Sequence, residues 1–198
     1  MTSIKVIVMD NKPEMAGFVM AGGKSSRLGR DKALLKIQDK TLLQRMIELI
    51  NPFCETVSIS GQNAQYEVFG AEMIPDLHPG CGPISGLYSC LRSSAKEWNL
   101  FMSVDVPFVN HELITLLISN ISNQNCIVPQ HQGGIEPLIG LYNKRAIPAI
   151  EKMIEAGEYK LMNLLSTQNT DFIDCNSLIK NYPRLFMNIN RIEDFRSI

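Results

Sequence analysis

The sequence predicts an α/β protein built on a mainly parallel sheet with helices on its faces. First, short apolar runs alternate with segments in which apolar residues recur every three or four positions, a pattern typical of strands alternating with amphipathic helices. Second, glycine or aspartate follows several of the apolar runs directly, as expected where ligand-binding loops leave the carboxyl ends of parallel strands. Third, no repeat, low-complexity tract or linker divides the 198 residues, which predicts one domain.

The predicted strands are short apolar stretches bounded by glycine, proline or polar residues. In chain order they are Ala16–Met20, Val57–Ser60, Ala71–Ile74, Asn99–Val104, Cys126–Val128, Leu138–Tyr142, Phe172–Ile173 and Phe186–Ile189. Strands of this kind, separated by helical patterns, favour parallel pairing through crossover connections.

The predicted helices lie between these strands. They are Ala33–Lys36, Thr41–Ile50, Gly86–Ser94, Asn110–Ile121 and Lys144–Ala156. Apolar residues at three- and four-residue intervals give Thr41–Ile50 one apolar face. Asn110 is a residue type favoured at a helix N-cap, and Gly157 is one favoured just beyond a helix end.

The composition is that of an ordinary globular protein, with 45% hydrophobic and 20% charged residues. A net charge of −1 argues against nucleic acid or an anionic membrane as the main partner. No apolar run approaches the roughly 18 residues needed to cross a bilayer, and the polar start of the chain does not resemble a signal peptide. The five cysteines form no C-x-x-C pair, which indicates reduced thiols rather than disulfides or a zinc site. We therefore expect a cytoplasmic protein.

Charge is unevenly distributed along the chain. Residues 24–40 hold six lysines or arginines against two aspartates, whereas residues 61–125 hold two basic residues against six acids. A basic loop facing an acidic segment would suit the two sides of a site for Mg²⁺ and a triphosphate.

A glycine-rich loop of sequence MAGGKSSRLGRDK, residues 20–32, follows the first predicted strand. Glycines let a main chain approach a ligand closely, and exposed N–H groups in such a turn form a concave anion site. Lys24, Arg27, Arg30 and Lys32 add charge that suits a polyphosphate. The loop lacks both the G-x-x-x-x-G-K-[ST] spacing of the P-loop and the G-x-G-x-x-G of dinucleotide-binding proteins. It therefore indicates a nucleotide site of another kind.

Two aspartates stand directly after predicted strands. Asp76 ends the run Met-Ile-Pro-Asp, and Asp105 lies in Ser-Val-Asp-Val-Pro. Mg²⁺ takes few protein carboxylates and completes its octahedron with waters and phosphate oxygens, so one aspartate is sufficient. Asp105, stiffened by Pro107, is the predicted metal ligand; the competing interpretation is that it caps the helix near Asn110.

The pattern A-G-G-x-x-x-R-x-G-x-D-K, formed by residues 21–32, resembles the loop of nucleotidyltransferases that activate sugars, polyols or pterin phosphates. Its Gly22-Gly23 pair is most similar to the molybdenum cofactor guanylyltransferases, the MobA-type nucleotidyltransferase family. The run G-x-G-P-x-x-G-L at residues 80–87 and the D-x-P at Asp105 resemble the same family, and the likeness extends from residue 16 to about residue 195.

This resemblance implies a Mg²⁺-dependent enzyme that transfers GMP from GTP to the terminal phosphate of molybdopterin (molybdenum) cofactor and releases pyrophosphate. Since the acceptor is already an anionic phosphate, positioning and charge compensation suffice and no general base is required. The implied fold is a single-domain doubly wound, Rossmann-like sheet of the nucleotide-diphospho-sugar transferase type with a late antiparallel element. Transient contact with proteins that donate the cofactor or mature molybdoenzymes is implied as well.

Other functions remain open at this point. A cytidylyltransferase that makes the cytosine dinucleotide cofactor, or a sugar-phosphate nucleotidyltransferase, would use a similar loop. A non-catalytic carrier of nucleotide or cofactor is a further alternative, against which the presence of Lys32 and Asp105 argues.

The resemblance also assigns roles to individual residues. Arg27, Lys32 and Asp105 are the expected catalytic residues, with Asp105 holding the metal. The expected nucleotide-binding residues are Met20, Ala21, Gly22, Gly23, Lys32, Asp76 and Asp105. A further nucleotide contact is expected from the loop after the second strand, where Ser60, Gln62 or Asn63 could match.

The acceptor side is expected near the end of the chain. Lys160 could meet the pterin phosphate, and Asn188 and Asn190 would share one face of a strand and line the site. Glu136 occupies a position where the family pattern favours a less charged residue. Residues 1–15 are interpreted as an N-terminal extension, and residues 16–198 as the nucleotidyltransferase domain.

Overall fold

The computed structural model describes residues 14–22 and 31–189. Its strands, in chain order, are β1 (Met15–Met20), β2 (Lys36–Ile37), β3 (Lys40–Thr41), β4 (Thr56–Ser60), β5 (Glu72–Ile74), β6 (Trp98–Ser103), β7 (Cys126–His131), β8 (Gly134–Ile135), β9 (Ile139–Asn143) and β10 (Thr170–Asp174). The helices are α1 (Leu42–Ile50), α2 (Pro83–Ser93), α3 (His111–Ser119), α4 (Ile147–Glu155), α5 (Leu161–Thr167) and α6 (Asn176–Asn181). Short 3-10 turns cover Lys32–Leu34, Asn51–Phe53, Ala64–Phe69 and Lys144–Ala146.

One sheet organises the described part of the chain, in the order β5-β4-β1-β6-β9-β7-β10. β1 pairs in parallel with both β4 and β6, and the pairs β4–β5 and β7–β10 are parallel as well. β9 runs antiparallel to its neighbours β6 and β7, and the short β8 forms a hairpin with β7. The predicted mainly parallel sheet and its late antiparallel element are both confirmed.

Helices cover both faces of the sheet, because the side chains of each buried strand alternate between two cores. On β1, Val19 packs in the core that includes Leu43 of α1 and Leu113 of α3. Its neighbour Phe18 faces the other core, with Leu87 of α2 and residues of α4 and α5. The fold is therefore doubly wound, as predicted.

A close backbone approach fixes the antiparallel strand β9 in the middle of the sheet. A Cβ placed on Gly140 would lie 2.5 Å from the carbonyl oxygen of Ile127 and 2.9 Å from Cγ1 of Val128. Glycine is thus the residue that lets β7 and β9 pair at this point.

The predicted strand Phe186–Ile189 is wrong. Residues 183–186 form a turn and residues 187–189 follow without regular structure. Pro183, which has no N–H to donate, follows α6 and starts this irregular course. The argument that Asn188 and Asn190 share a strand face therefore fails for Asn188, and Asn190 lies outside the described residues.

Some helix predictions also need correction. Ala33–Lys36 is no α-helix: a 3-10 turn ends at Leu34 and the chain enters the β2–β3 hairpin, with Gln38 at φ 56° in its turn. The helices α5 and α6 were not predicted, because seven- and six-residue segments are too short to show helical periodicity. Met15, interpreted as part of an N-terminal extension, already belongs to β1.

Candidate active site

Polar segments gather at one edge of the sheet, where the parallel strands β1, β4, β5 and β6 end. The segments after β1, β4 and β5 line a cleft of about 710 Å³ whose walls include Ala21, Gly22, Asp31, Gly61, Gln62, Asn63, Tyr66, Pro75 and Asp76. Backbone hydrogen bonds tie the strand ends together: Ala21 N–H donates to the Ser60 carbonyl at 3.1 Å, and Gly61 N–H donates to the Ile74 carbonyl at 3.0 Å. A cleft of this size at the carboxyl ends of the strands can hold a nucleotide.

Lys32 and Asp105 meet at this edge. The Lys32 Nζ lies 2.9 Å from Oδ1 of Asp105, which follows β6. Lys32 is only 7% exposed, whereas 38% of the Asp105 side chain is open to solvent. A buried ammonium beside a half-exposed carboxylate gives the site one fixed positive group and one accessible oxygen ligand.

The main chain around Asp105 is held on two sides. Its N–H donates to Oγ of Ser103 at 3.2 Å, and its carbonyl accepts a hydrogen bond from the N–H of Ile189 at 2.8 Å. The helix cap that competed for Asp105 in the sequence interpretation belongs to Asn110, whose Oδ1 accepts from the N–H of Leu113 at 3.1 Å. Asp105 therefore caps no helix and remains available to a ligand.

Helix α2 packs against the strand ends because residue 86 is glycine. A Cβ on Gly86 would lie 2.7 Å from Oγ of Ser60 and 2.9 Å from Cε of Met20. The loop before the helix turns through Gly80 and Gly82, both at positive φ, and Pro83 opens the first turn. The predicted tight glycine loop and close helix packing are confirmed.

The loop that carries Asp76 is tied to α2 by serine hydroxyls. Oγ of Ser89 accepts from the N–H of Leu77 at 2.9 Å, and Oγ of Ser85 accepts from the N–H of His78 at 3.2 Å. Although Asp76 is exposed, nearby protein atoms partly desolvate its carboxyl group and raise its pKa. A cation or a pair of N–H donors bound in the cleft would offset the energetic cost of this desolvation.

The sequence left Ser60, Gln62 and Asn63 as alternative nucleotide contacts in the loop after β4, and the structure places them in three different environments. Ser60 is 1% exposed and lies in the core. Both ends of the Asn63 amide bind protein: Oδ1 accepts from Gln65 N–H at 3.0 Å and Nδ2 donates to Asp31 at 2.6 Å. Gln62 is exposed and lines the cleft, so its amide is the one placed to meet a ligand.

The nucleotide-binding residues predicted on β1 and in the loop after it also differ in their surroundings. Ala21 and Gly22 line the cleft. Met20 is 6% exposed and its side chain packs on Gly86, so that any contact it makes with a ligand is through its main chain. Gly23 and Arg27 lie outside the described residues.

Sequence reasoning missed the cleft residues Asp31 and Tyr66. Oδ2 of Asp31 accepts a hydrogen bond from the Tyr66 hydroxyl at 2.7 Å, while Oδ1 accepts from Ala33 N–H at 3.0 Å. Asp31 belongs to the D-K of the glycine-rich pattern and could have been found there. Tyr66, in a 3-10 turn without periodicity, gave no signal.

The structure places the residues predicted for the acceptor side in separate surroundings. Lys160 is exposed and precedes α5, next to Tyr159, whose hydroxyl contacts Cys81 in the loop before α2. At the end of β7, His131 stacks on Phe186 with ring centroids 4.5 Å apart, and its Nε2 lies 3.2 Å from Oε1 of Glu136. The charged Glu136 is thus engaged by a histidine.

A C-terminal strap, residues 182–189, crosses this side of the molecule. The Tyr182 hydroxyl donates to Glu112 of α3, and the Arg184 guanidinium lies 4.2 Å from the centroid of the Phe108 ring. The strap ends with the Ile189 hydrogen bond to the Asp105 carbonyl. It therefore places Asn188 beside the loop that carries Asp105.

Within residues 14–22 and 31–189, no three or more histidine, cysteine, aspartate or glutamate side chains gather as a metal-binding group. No helix in the same part of the chain is long and apolar enough to span a membrane.

A mainly parallel sheet with a buried lysine and a strand-end aspartate at its carboxyl edge is the arrangement expected of a nucleotidyltransferase. The sequence profile of the MobA-like NTP transferase domain matches residues 17–171. The chain belongs to the MobA-like NTP transferase family.

Individual relatives agree with this family. The chain is 37% identical over 150 residues to a protein of Flavobacterium johnsoniae named "Probable molybdenum cofactor guanylyltransferase", covering 75% of this chain and 79% of that one. A Clostridium perfringens protein of the same name is 28% identical over 187 residues, covering 91% and 93%. The crystal structure of molybdopterin-guanine dinucleotide biosynthesis protein A from Archaeoglobus fulgidus superposes with a TM-score of 0.77 at 26% identity, covering 92% and 95%.

Proposed function

We propose that the protein transfers GMP from GTP to the terminal phosphate of molybdopterin cofactor, forming the guanine dinucleotide cofactor and releasing pyrophosphate. The observation that carries this proposal is the Lys32–Asp105 pair, 2.9 Å apart beside a nucleotide-sized cleft, in a chain whose relatives are named molybdenum cofactor guanylyltransferases. We further propose that residues 16–198 form a single catalytic domain.

The chain's own groups then supply positioning and charge. The acceptor phosphate attacks the α-phosphate of GTP, a new P–O bond forms, and the bond to the pyrophosphate leaving group breaks. Lys32 neutralises growing charge on the phosphate oxygens, and we assign the same role to Arg27. Since both reacting partners are phosphates, no side chain needs to remove a proton.

Nucleotidyltransferases of this family use a divalent metal, and we propose Mg²⁺ as the ion and Asp105 as its protein ligand. The carboxylate fits a hard cation: it is a partly exposed oxygen donor just after β6, paired with Lys32, which follows the cleft residue Asp31. A single protein carboxylate suits Mg²⁺, which keeps water and phosphate ligands. When bound, the ion would offset charge on the triphosphate and orient it.

We assign recognition of the base to the polar wall of the cleft. Asp76 can accept hydrogen bonds from guanine N–H groups or a ribose hydroxyl, and Gln62 offers both donors and an acceptor. Gly22, which lines the cleft and has no side chain, leaves room for the nucleotide to approach the main chain, and we assign the same role to Gly23 from its position in the sequence pattern.

The acceptor is proposed to lie between the cleft and the C-terminal strap. Lys160, Asn188 and Asn190 are the residues assigned to it, with Lys160 meeting a phosphate group. Proteins that donate the cofactor or receive the product are proposed to dock transiently at this side.

The test is transfer from α-labelled GTP, CTP, ATP or UTP to molybdopterin cofactor, with product dinucleotide and pyrophosphate both measured. GTP is expected to be the preferred donor. Preference for CTP would favour the cytosine dinucleotide enzyme, and nucleotide binding by calorimetry without any turnover would favour a carrier.

The same donor panel tests the base contact. We expect Gln62→Ala to narrow the preference for GTP over CTP by about tenfold, the value of one or two hydrogen bonds in discrimination. Gln65→Ala, an exposed glutamine on the neighbouring turn, is the matched control and should leave the preference unchanged. An unchanged preference in Gln62→Ala would remove this residue from the base site.

A further inference from the structure

A carboxylate-centred latch, made of Asp31, Asn63 and Tyr66, joins the end of the glycine-rich loop to the wall of the cleft. Oδ2 of Asp31 accepts from the Tyr66 hydroxyl at 2.7 Å and from Nδ2 of Asn63 at 2.6 Å. The other oxygen, Oδ1, accepts from the N–H of Ala33 at 3.0 Å. Three hydrogen bonds thus converge on the residue directly before Lys32.

The partners of Asp31 are themselves held rigidly. Tyr66 is 2% exposed, with its ring in the core beneath α1. Its burial and the neighbouring Asp31 raise its pKa, so the phenol keeps its proton and donates it. Asn63 uses Oδ1 to cap the 3-10 turn that carries Tyr66. The Tyr66 hydroxyl and the Asn63 amide are therefore already in place to bind the Asp31 carboxylate.

The backbone that follows Asp31 is fixed as a consequence. Leu34 N–H donates to the Asp31 carbonyl at 3.2 Å, and Leu35 N–H donates to the Lys32 carbonyl at 3.0 Å. These hydrogen bonds fix the direction in which the Lys32 side chain leaves the turn, and its ammonium contacts Asp105. The segment 31–35 is therefore held in place before a nucleotide binds.

We propose that Asp31, bound by Tyr66 and Asn63, is a positioning residue that holds Lys32 at the reacting phosphate. This inference deepens the proposed function and rests on it for the identity of the reaction. Three donors from the protein itself occupy most of the acceptor capacity of the Asp31 carboxylate, which favours a positioning role over recognition of the base.

The experiment compares Tyr66→Phe, Asp31→Ala and the double variant in steady-state transfer. For each single variant we expect kcat to fall by about 10- to 100-fold, the cost of misplacing a catalytic group, while KM for GTP changes little. The double variant should be no slower than Asp31→Ala, because the two residues act through one contact. Additive losses, or a selective rise in KM for GTP with unchanged kcat, would overturn the proposal, the latter by making Asp31 a base contact.

Tyr88→Phe is the matched control. Its hydroxyl also donates to a carboxylate, Glu151 at 2.8 Å, between α2 and α4 and away from the latch. We expect this variant to retain the wild-type kcat. If it loses as much activity as Tyr66→Phe at the same change in Tm, the latch has only a structural role.

Hydrogen exchange in the ligand-free protein separates this inference from the proposed function. Tyr66→Phe and Asp31→Ala should speed exchange of the amides of residues 33–35, and Tyr88→Phe should not. This readout requires no substrate. Unchanged protection in both latch variants would refute the anchor, whereas absence of GMP transfer by the wild type would refute only the proposed function.

Discussion

Lys32 and Asp105 lie far apart in the sequence, yet the Lys32 Nζ is 2.9 Å from Oδ1 of Asp105. Because Lys32 is buried and only Asp105 is partly exposed, solvent screens the pair only in part, and removal of the carboxylate leaves a desolvated ammonium in the protein. The geometry leaves part of the Asp105 carboxylate open to solvent, as the metal-binding role proposed above requires.

We therefore expect Asp105→Ala to lower the transfer rate by about 1,000-fold through loss of metal and charge positioning. Its Tm should fall by about 4–8 °C, the equivalent of about 2 kcal/mol in a chain of this size, because the buried Lys32 loses this carboxylate. Turnover and thermal melts measure the two effects. Glu48→Ala, which breaks the surface pair Lys40–Glu48, should retain activity; an active Asp105→Ala would disprove the metal assignment.

Asp76 provides a prediction on pH. Burial raises its pKa in the folded protein above the unfolded value, so ionisation of this carboxyl group costs stability as pH rises through that raised pKa. Asp76→Asn should therefore slightly raise Tm at neutral pH, with the gain vanishing in acid, where the wild-type carboxyl group is protonated in both states. Nucleotide affinity should fall in the same variant. A gain in Tm that is independent of pH would contradict this assignment.

At the scale of elements, the pairing of β7 with β9 connects β7 and β10 to the rest of the sheet. Gly140→Ala would bring a methyl group to 2.5 Å from the Ile127 carbonyl oxygen, and backbone atoms of a central strand cannot move aside without breaking the pairing. We expect a loss of about 2–4 kcal/mol in the free energy of unfolding.

Urea unfolding measures this loss. Gly22→Ala is the control for stability, because its added methyl would meet the Ser60 carbonyl oxygen at 3.6 Å, an ordinary contact. Equal midpoints for Gly140→Ala and the wild type would show that the β7–β9 pair can relax.

Across the whole molecule, the sequence predicted those features that depend on local pattern. Buried strands such as β1 and β6 are continuous apolar runs, and the polar residues after them lie at one edge because parallel strands share their direction. Asp76 and Asp105 could therefore be placed from sequence. The alternation of Phe18 and Val19 between two cores likewise follows from the strand period.

The features that escaped prediction depend on contacts between distant segments. Tyr66 reaches Asp31 across 35 positions of sequence, and neither residue has a local pattern that reveals the other. Phe186–Ile189 predicted a strand because three of its four residues are apolar. The conformation of the strap is instead set by Pro183 and by separate contacts to α3, β7 and Asp105.

The strap has a consequence for the order in which the site is completed during synthesis. The residues that line the cleft all precede residue 80 and leave the ribosome before Ile189, although a domain generally folds as a unit. The hydrogen bond from Ile189 to Asp105 can form only after Ile189 has been added. We expect nascent chains stalled before residue 182 to bind nucleotide in a filter assay yet fail to transfer it, and full transfer by such chains would contradict this. Transfer activity would then be found only in chains that have been translated beyond residue 189, the end of the strap.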